Sequence, residues 1–264
     1  MNETLNKIRT IEFNNIKIGG ESSFPIFKPV FIIDTNVANP QEIEQANHSE
    51  ADIIGLTFDL ETEDEISKAT ANLKKALQII DKPIMLKGTG NNDFDRRLLP
   101  ELMKQLTQPA IIAWANDNTY KDILPEVIKG NHVIVLRSPI DINITKELNI
   151  LSQDAGLDLN KILIDTDIGG LGYGFEYGYS IMEKIKLEGL NGDKYLNMPI
   201  ISFACEESLK TKETKSDNYP PSWGNRKERE NFFEIASASA VLAAGANVIV
   251  MKNSDNIKIM KGLC

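Results

Sequence analysis

Eight short apolar runs recur along the chain, beginning near Val30, Asp52, Pro83, Pro109, His132, Lys161, Pro199 and Ala246, and each is followed by a stretch with helical spacing. The runs are nearly continuous rather than alternating, the pattern of strands buried on both faces. Val30 to Ile33 ends in Asp34 and Asn36, and Pro40 then suits the first turn of a helix. Ile53 to Phe58 leads to Asp59 and a helix through Ala76 and Ile80. Ile84 to Leu86 leads to Lys87, Gly88 and Gly90, and Leu98, Leu102 and Leu106 mark the helix that follows. Ala110 to Ala113 leads to Trp114, Asn116 and Asp117, with Gly130 expected at the C′ position of its helix. Val133 to Leu136 leads to Arg137 and Ser138, and Asp141 is expected to cap a helix through Leu148 and Leu151. Tyr177, Ile181 and Ile185 share one helix face, and Phe232 to Ala243 form a helix closed by Gly245.

Eight strands alternating with helices predict an α/β fold, a TIM (β/α)8 barrel. A doubly wound open sheet is the runner-up, weakened because no GxGxxG follows the first strand. The opening residues alternate around Asn14 and Asn15 as a hairpin does. The expected organisation is therefore a hairpin cap over residues 1–28 and one barrel domain over 29–264.

In such a barrel the loops after the strands build the functional rim, which collects Asp34, Asn36, Lys87, Asn116, Asp117, Ser138, Asp141, Asn143, Asp165 and Asp167. The densest stretch is KILIDTDIGGLGYG, Lys161 to Gly174, where two carboxylates at a strand end precede Gly169, Gly170, Gly172 and Gly174. Such a loop lets a ligand or second chain approach the backbone; the bland reading is a simple connector.

Composition narrows the chemistry. Two cysteines, Cys205 and Cys264, and two histidines, His48 and His132, are all the thiols and imidazoles among 264 residues. A cysteine-ligated iron–sulfur cluster needs about four thiolates, so none is expected in this chain. With 29 basic and 38 acidic residues the net charge is −9, which argues against a nucleic-acid partner. No apolar run approaches the ~20 residues of a membrane span. The chain has neither a signal-peptide pattern nor a disulfide framework, and the expected compartment is the cytoplasm.

Individual candidates divide between chemistry and architecture. Asp165 is either a ligand-binding carboxylate or a loop-ordering acceptor. Asn116 and Asp117 read first as a helix start. Lys87 offers a Schiff-base amine if desolvated, or a partner for a rim carboxylate. Tyr173, Tyr177 and Tyr179 present rings to a ligand or pack on a helix. Cys205 reads as a buried, inert thiol. Neither histidine ends a strand, so neither reads as a catalytic base. The excursion from Cys205 to about Arg226, with Tyr219, Pro220, Pro221 and Trp223, reads as a lid, a protein contact or a packed loop.

SPIDINITKELNIL (Ser138 to Leu151), GGLGYGFEYGYSIMEKIKLEGLNGDKYLNMPII (Gly169 to Ile201), WGNRKERENFFEIASA (Trp223 to Ala238) and AAGANVIVMKNSD (Ala243 to Asp255) resemble the small, or delta, subunit of the corrinoid iron–sulfur protein of the acetyl-CoA decarbonylase/synthase complex. IGGE at Ile18 to Glu21 and NTYKDI at Asn118 to Ile123 are similar too. The resemblance implies a TIM barrel in a heterodimer with a large (gamma) subunit that carries the iron–sulfur cluster and holds the cobamide, alongside methyltransferase and acetyl-CoA synthase components. It implies a shielding role on the methyl-cobalt face, carried here by the cofactor-facing positions Ser138, Asp141, Asn143, Asp165, Gly170, Leu171, Gly172, Tyr173 and Gly174, with no catalytic residue. The alternative it leaves is a pterin-binding methyltransferase, in which Asn116 and Asp165 would hydrogen-bond the ring. The family pattern DPTTGALGYG is altered here: Thr166, Asp167 and Ile168 follow Asp165, so a proline is lost and a carboxylate gained.

Overall fold

The computed structural model describes residues 7–21, 28–60 and 62–264, apart from the side chain of Glu63. The amino-terminal hairpin pairs β1 (Thr10–Phe13) with β2 (Ile16–Gly19), and its turn residues Asn14 and Asn15 take the left-handed backbone a tight hairpin demands. The other strands are β3 (Val30–Asn36), β4 (Ile53–Thr57), β5 (Ile84–Lys87), β6 (Ile111–Ala115), β7 (Val133–Arg137), β8 (Ile162–Asp165), β9 (Ile201–Ser202) and β10 (Val248–Met251). They form one parallel sheet in the order β8-β7-β6-β5-β4-β3-β10-β9. An Ile164–Ile200 bridge, with the Ile164 amide donating to the Pro199 carbonyl at 2.9 Å, brings β8 round to β9. This is the expected eight-stranded barrel, with every strand starting within two residues of its anticipated position.

The surrounding helices are α1 (Pro40–His48), α2 (Ile66–Ala76), α3 (Asn92–Met103), α4 (Tyr120–Lys129), α5 (Ile142–Asp154), α6 (Phe175–Leu190), the short α7 (Ala204–Ser208) and α8 (Lys212–Lys215), α9 (Arg226–Ala243) and α10 (Ser254–Leu263). Asp141 caps α5 as expected, accepting from the Asn143 and Ile144 amides. α2 and α3 stop short of Ile80 and Leu106, which pack against the core from turns. Gly130 differs from expectation. It is the C-cap of α4 with φ −85, and Asn131 supplies the left-handed residue at φ 53. Gly130 is small for a steric reason, because a side chain there would run into the His132 ring.

Side-chain parity divides the core in two. Alternate strand residues point outward into the layer shared with the helices; the others, from Val30, Ile32 and Ile53 round to Val248 and Val250, fill the lumen. The hairpin closes the lumen's amino-terminal end with Ile11, Phe13 and Ile18, all buried. Glu21, just after the hairpin, is held beneath the barrel by Lys186 of α6 at 2.5 Å and by Asn247 at 2.7 Å. His132 belongs to this end as well, where burial lowers its pKa and its Nδ1 accepts from the Ala110 amide at 3.0 Å.

Candidate functional site

Lumen parity continued by one step beyond the apolar residues reaches the carboxyl-terminal mouth. Two residues past Ile32, Gly55, Met85, Val135, Leu163, Ile201 and Val250 stand Asp34, Thr57, Lys87, Arg137, Asp165, Phe203 and Lys252. On β6 the register shifts between Ala113 and Ala115, which adds Trp114 to the same layer. The mouth is thus a ring of mostly charged and aromatic side chains, one from each strand.

These groups answer one another. The Lys87 ammonium, 3% exposed, donates to Asp34 at 2.8 Å and to Glu206 of α7 at 2.6 Å. Lys252 donates to the same Asp34 oxygen at 2.7 Å, and the Thr57 hydroxyl donates to the other at 2.6 Å. Burial alone would push the Asp34 carboxyl up, but Lys87 and Lys252 together outweigh it and hold Asp34 below the usual carboxylate range. Glu206 is likewise lowered, since Lys87 and Lys210 more than offset its burial. Across the lumen Arg137 donates through Nε to Asp165 at 2.5 Å and reaches Asp167 at 3.5 Å. Its guanidinium lies 3.1 Å from the Trp114 ring centroid and 5.1 Å from that of Phe203. Asp165 is fully buried with this single cation, and its burial raises its pKa further than Arg137 lowers it.

Lys252 is aimed from behind. Glu234 of α9, 1% exposed, accepts from the backbone amides of Lys252 and Asn253 and from the Asn256 side chain at 2.6 Å, which fixes the turn into α10. A cavity of about 400 Å³ opens beside that turn, lined by Asp34, Asn36, Glu42, Asp59 and Lys252, on the opposite side of the barrel from β7 and β8. Its polar walls are engaged with each other: Asn36 donates to Asp59 at 2.7 Å, and Glu42 accepts the Asn36 amide.

Among the residues singled out from sequence, the mouth unites Asp34, Lys87, Asp165 and Asp167. Lys87 takes the ion-pair role rather than that of a free amine. Asn116 spends its side chain on the Asn118 amide, Thr119 and Asn92, as a helix start does. Ser138 is buried and shares a 2.6 Å hydrogen bond with Thr145, so Ser138 and Asp141 shape the start of α5, where Asn143 is exposed. Within the glycine loop, Gly170 is packed: a methyl there would stand 2.7 Å from the Glu207 carbonyl oxygen. The Leu171 amide donates to Ser208 at 3.1 Å. At Gly172, with φ 77, a methyl would meet no atom within 4 Å, and Tyr173 beside it is 50% exposed. Gly174 starts α6 with a left-handed φ of 91. Cys205 is buried and its thiol is pushed well above its ordinary range by burial. Trp114, Arg137, Phe203, Glu206, Glu234 and Lys252 lie outside the candidates that sequence reasoning selects. For Trp114, Arg137, Phe203 and Lys252 a signal exists, as the next lumen-facing position after each apolar run.

The fold and this mouth define a class: a (β/α)8 barrel whose lumen is closed at the carboxyl-terminal face by its own ion pairs. Solved structures of that architecture include dihydropteroate synthase from Xanthomonas albilineans, with a TM-score of 0.64 at 12% identity over 97% of this chain and 96% of that one. The Coxiella burnetii dihydropteroate synthase matches with a TM-score of 0.63 at 16% identity, over 97% of this chain and 96% of that one. Residues 36–264 match the model of the CO dehydrogenase/acetyl-CoA synthase delta subunit, and the chain belongs to that family. It is 30% identical over 210 residues to the acetyl-CoA decarbonylase/synthase complex subunit delta of Methanocaldococcus jannaschii, covering 78% of this chain and 51% of that protein. The corresponding subunit delta 1 of Methanosarcina thermophila is 28% identical over 206 residues, 74% of this chain and 46% of its own length. The chain therefore spans about half the length of these relatives. Among the described residues no helix is long and apolar enough to cross a membrane, and no group of three or more His, Cys, Asp or Glu side chains is placed to hold a metal ion.

Proposed function

We propose that the chain is a non-catalytic barrel subunit of a corrinoid methyl carrier, pairing with a cobamide-bearing larger (gamma) subunit and covering the methyl-bearing face during methyl transfer in acetyl-CoA synthesis or cleavage. The observation that carries this reading is the filled mouth. Lys87, Lys252 and Arg137 are matched by Asp34, Glu206 and Asp165, and Trp114 and Phe203 occupy the space between. A substrate entering the lumen would have to displace ion pairs already out of water, at a cost of several kcal/mol per uncompensated charge. The rim is suited to being covered rather than entered.

The chain offers no histidine at the rim that would ligate the cobalt of a cobamide: His132 lies buried at the amino-terminal end and His48 ends α1. The cofactor is assigned to the partner, and this chain contributes a surface. Of the positions expected to face it, Gly172, Tyr173 and Asn143 are exposed, while Ser138, Asp165 and Gly170 act from beneath by fixing the rim. The pterin-binding methyltransferase alternative is disfavoured because Asn116 and Asp165 are already engaged within the chain.

Sedimentation velocity with the purified, cobamide-loaded larger subunit tests the proposal. The expected result is a stoichiometric complex in which cobalt reduced to Co(I) oxidises more slowly than in the larger subunit alone. A chain that remains free beside that subunit, and methylates cobalamin from a methyl-tetrahydropterin by itself, contradicts it.

A further inference from the structure

The barrel sheet has a seam. Among the described residues β8 and β9 meet through one bridge, Ile164–Ile200, where the other neighbouring strands share ladders of paired residues, and β9 itself is only Ile201–Ser202. Above that bridge the loops that leave the two strands are joined by side chains instead. The Leu171 amide of the glycine loop donates to the Ser208 hydroxyl of α7 at 3.1 Å, and Ser208, itself buried, shares a 2.6 Å hydrogen bond with Ser237 of α9. One residue earlier, Gly170 lies so close to the Glu207 carbonyl that a methyl would stand 2.7 Å from its oxygen. The glycine loop therefore rests on the end of α7, and the height of its exposed tip, Gly172 and Tyr173, depends on where α7 is held.

With five residues, α7 is too short to be fixed by its own hydrogen bonds. Its place comes from what its side chains reach. Glu206 accepts from Lys87 at 2.6 Å on the lumen side and from Lys210 at 3.1 Å, and the Cys205 thiol donates to the Glu234 carbonyl of α9 at 3.5 Å. Lys87 also donates to Asp34, Lys252 donates to Asp34, and the Lys252 amide donates to the Glu234 carboxylate. The contacts that leave α7 at Glu206 thus return to it at Cys205. Beyond α7 the buried Arg229 of α9 donates to the Glu213, Ser216 and Gly224 carbonyls, so the excursion is packed against α9 rather than hinged as a lid. Removing either member of the Lys87–Glu206 pair strands no charge, since Asp34 keeps Lys252, Glu206 keeps Lys210 and Lys87 keeps Asp34.

We propose that α7 is a clasp across the seam and that Glu206 is a positioning residue, acting through Ser208 to set the glycine loop above the charged mouth. The loop's part in covering a cobamide-bearing partner rests on the function proposed above; the clasp itself does not. Hydrogen exchange of the Leu171 amide in the isolated chain tests the clasp, with thermal melts to confirm folding. Ser208→Ala, which removes the acceptor, is expected to speed that exchange by about tenfold. Glu206→Gln, which leaves the Ser208 hydroxyl in place, is expected to speed it by about threefold or more, and adding Lys87→Met is expected to change little further because the two act through one contact. Thr57→Val removes a hydrogen bond from Asp34 elsewhere in the same network and is expected to leave Leu171 unchanged. Wild-type exchange in Glu206→Gln overturns the positioning role. Equal acceleration in Thr57→Val overturns the clasp, since the loop would then follow stability alone. In complex with the cobamide-bearing subunit, Glu206→Gln is expected to speed Co(I) oxidation while sedimentation shows the complex intact. An unchanged oxidation rate beside a loosened loop overturns the loop's covering part, and a wild-type chain that does not pair overturns the function proposed above.

Discussion

The two ends of the barrel lumen are closed by opposite means. At the amino-terminal end Ile11, Phe13 and Ile18 of the hairpin continue the apolar core downward. At the carboxyl-terminal end the same lumen is closed by Asp34, Lys87, Arg137, Asp165, Glu206 and Lys252 with two aromatic rings. Hydrophobic residues of similar volume would close that end at no loss of stability, and often with a gain. Charge closes the lumen itself at the end where barrels of this architecture carry their function, whereas at the other end the plug of Ile11, Phe13 and Ile18 is apolar and the buried Glu21–Lys186 pair follows the hairpin. The upper layer is therefore polar where packing alone would make it apolar, and the proposed covering role draws on that difference.

Single substitutions put this contrast at greatest risk. Phe13→Ala removes the largest ring of the lower plug and is expected to cost about 3–5 kcal/mol in chemical denaturation. Arg137→Met leaves Asp165 buried beside no matched cation and is expected to cost a similar ~3–5 kcal/mol. The two ends then separate on rescue. Adding Asp165→Asn to Arg137→Met is expected to recover most of the loss, because the stranded charge is gone. The lower plug has no polar partner to relieve, so its loss is recovered only by restoring volume. If the double variant is no more stable than Arg137→Met, the loss comes from packing on Trp114 and the two ends are closed alike.

Smaller effects probe the upper rim more finely. Gly170→Ala is expected to destabilise by about 1–3 kcal/mol through its clash with the Glu207 carbonyl. Gly172→Ala, with open space but a left-handed φ of 77, is expected to cost only ~1 kcal/mol. A reversal of that order would show the loop's contact with α7 to be incidental. The smallest effect is on pH dependence. Asp34 titrates below its ordinary value of 3.8 when folded, so on acidification the unfolded chain takes up a proton before the folded chain does. Its contribution is whole above that value and is lost as pH falls through it toward the depressed folded pKa. Denaturation of wild type and Asp34→Asn between about pH 6 and about pH 3 should therefore show their stabilities converging as the pH falls. Parallel curves would mean that Lys87 and Lys252 do not hold the carboxylate charged.

The barrel is legible in the sequence because a fully buried strand must be apolar on both faces, and eight such runs leave few topologies. The hairpin turn at Asn14 and Asn15 and the Asp141 cap are legible for local reasons of the same kind. The mouth is legible only in part. Asp34, Lys87 and Asp165 stand out as strand-end polar residues, yet the parity that also selects Arg137 and Lys252 becomes meaningful only once the inward face is known. Glu206 and Glu234 come from helices far along the chain, and no local pattern links them to Lys87 or to the turn at Lys252. Gly130 misleads because a glycine near a helix end resembles a left-handed cap, whereas here it makes room for His132.

Closure of the upper lumen to small substrates, which leaves it a surface to be covered, is tested most directly by calorimetric titration of the isolated chain with a methyl-tetrahydropterin. No saturable heat is expected at ligand concentrations up to about 1 mM, the weak end of specific affinity. Stoichiometric binding that is abolished by Asp165→Asn would contradict closure, because the pterin would then occupy the space assigned to Arg137 and Trp114.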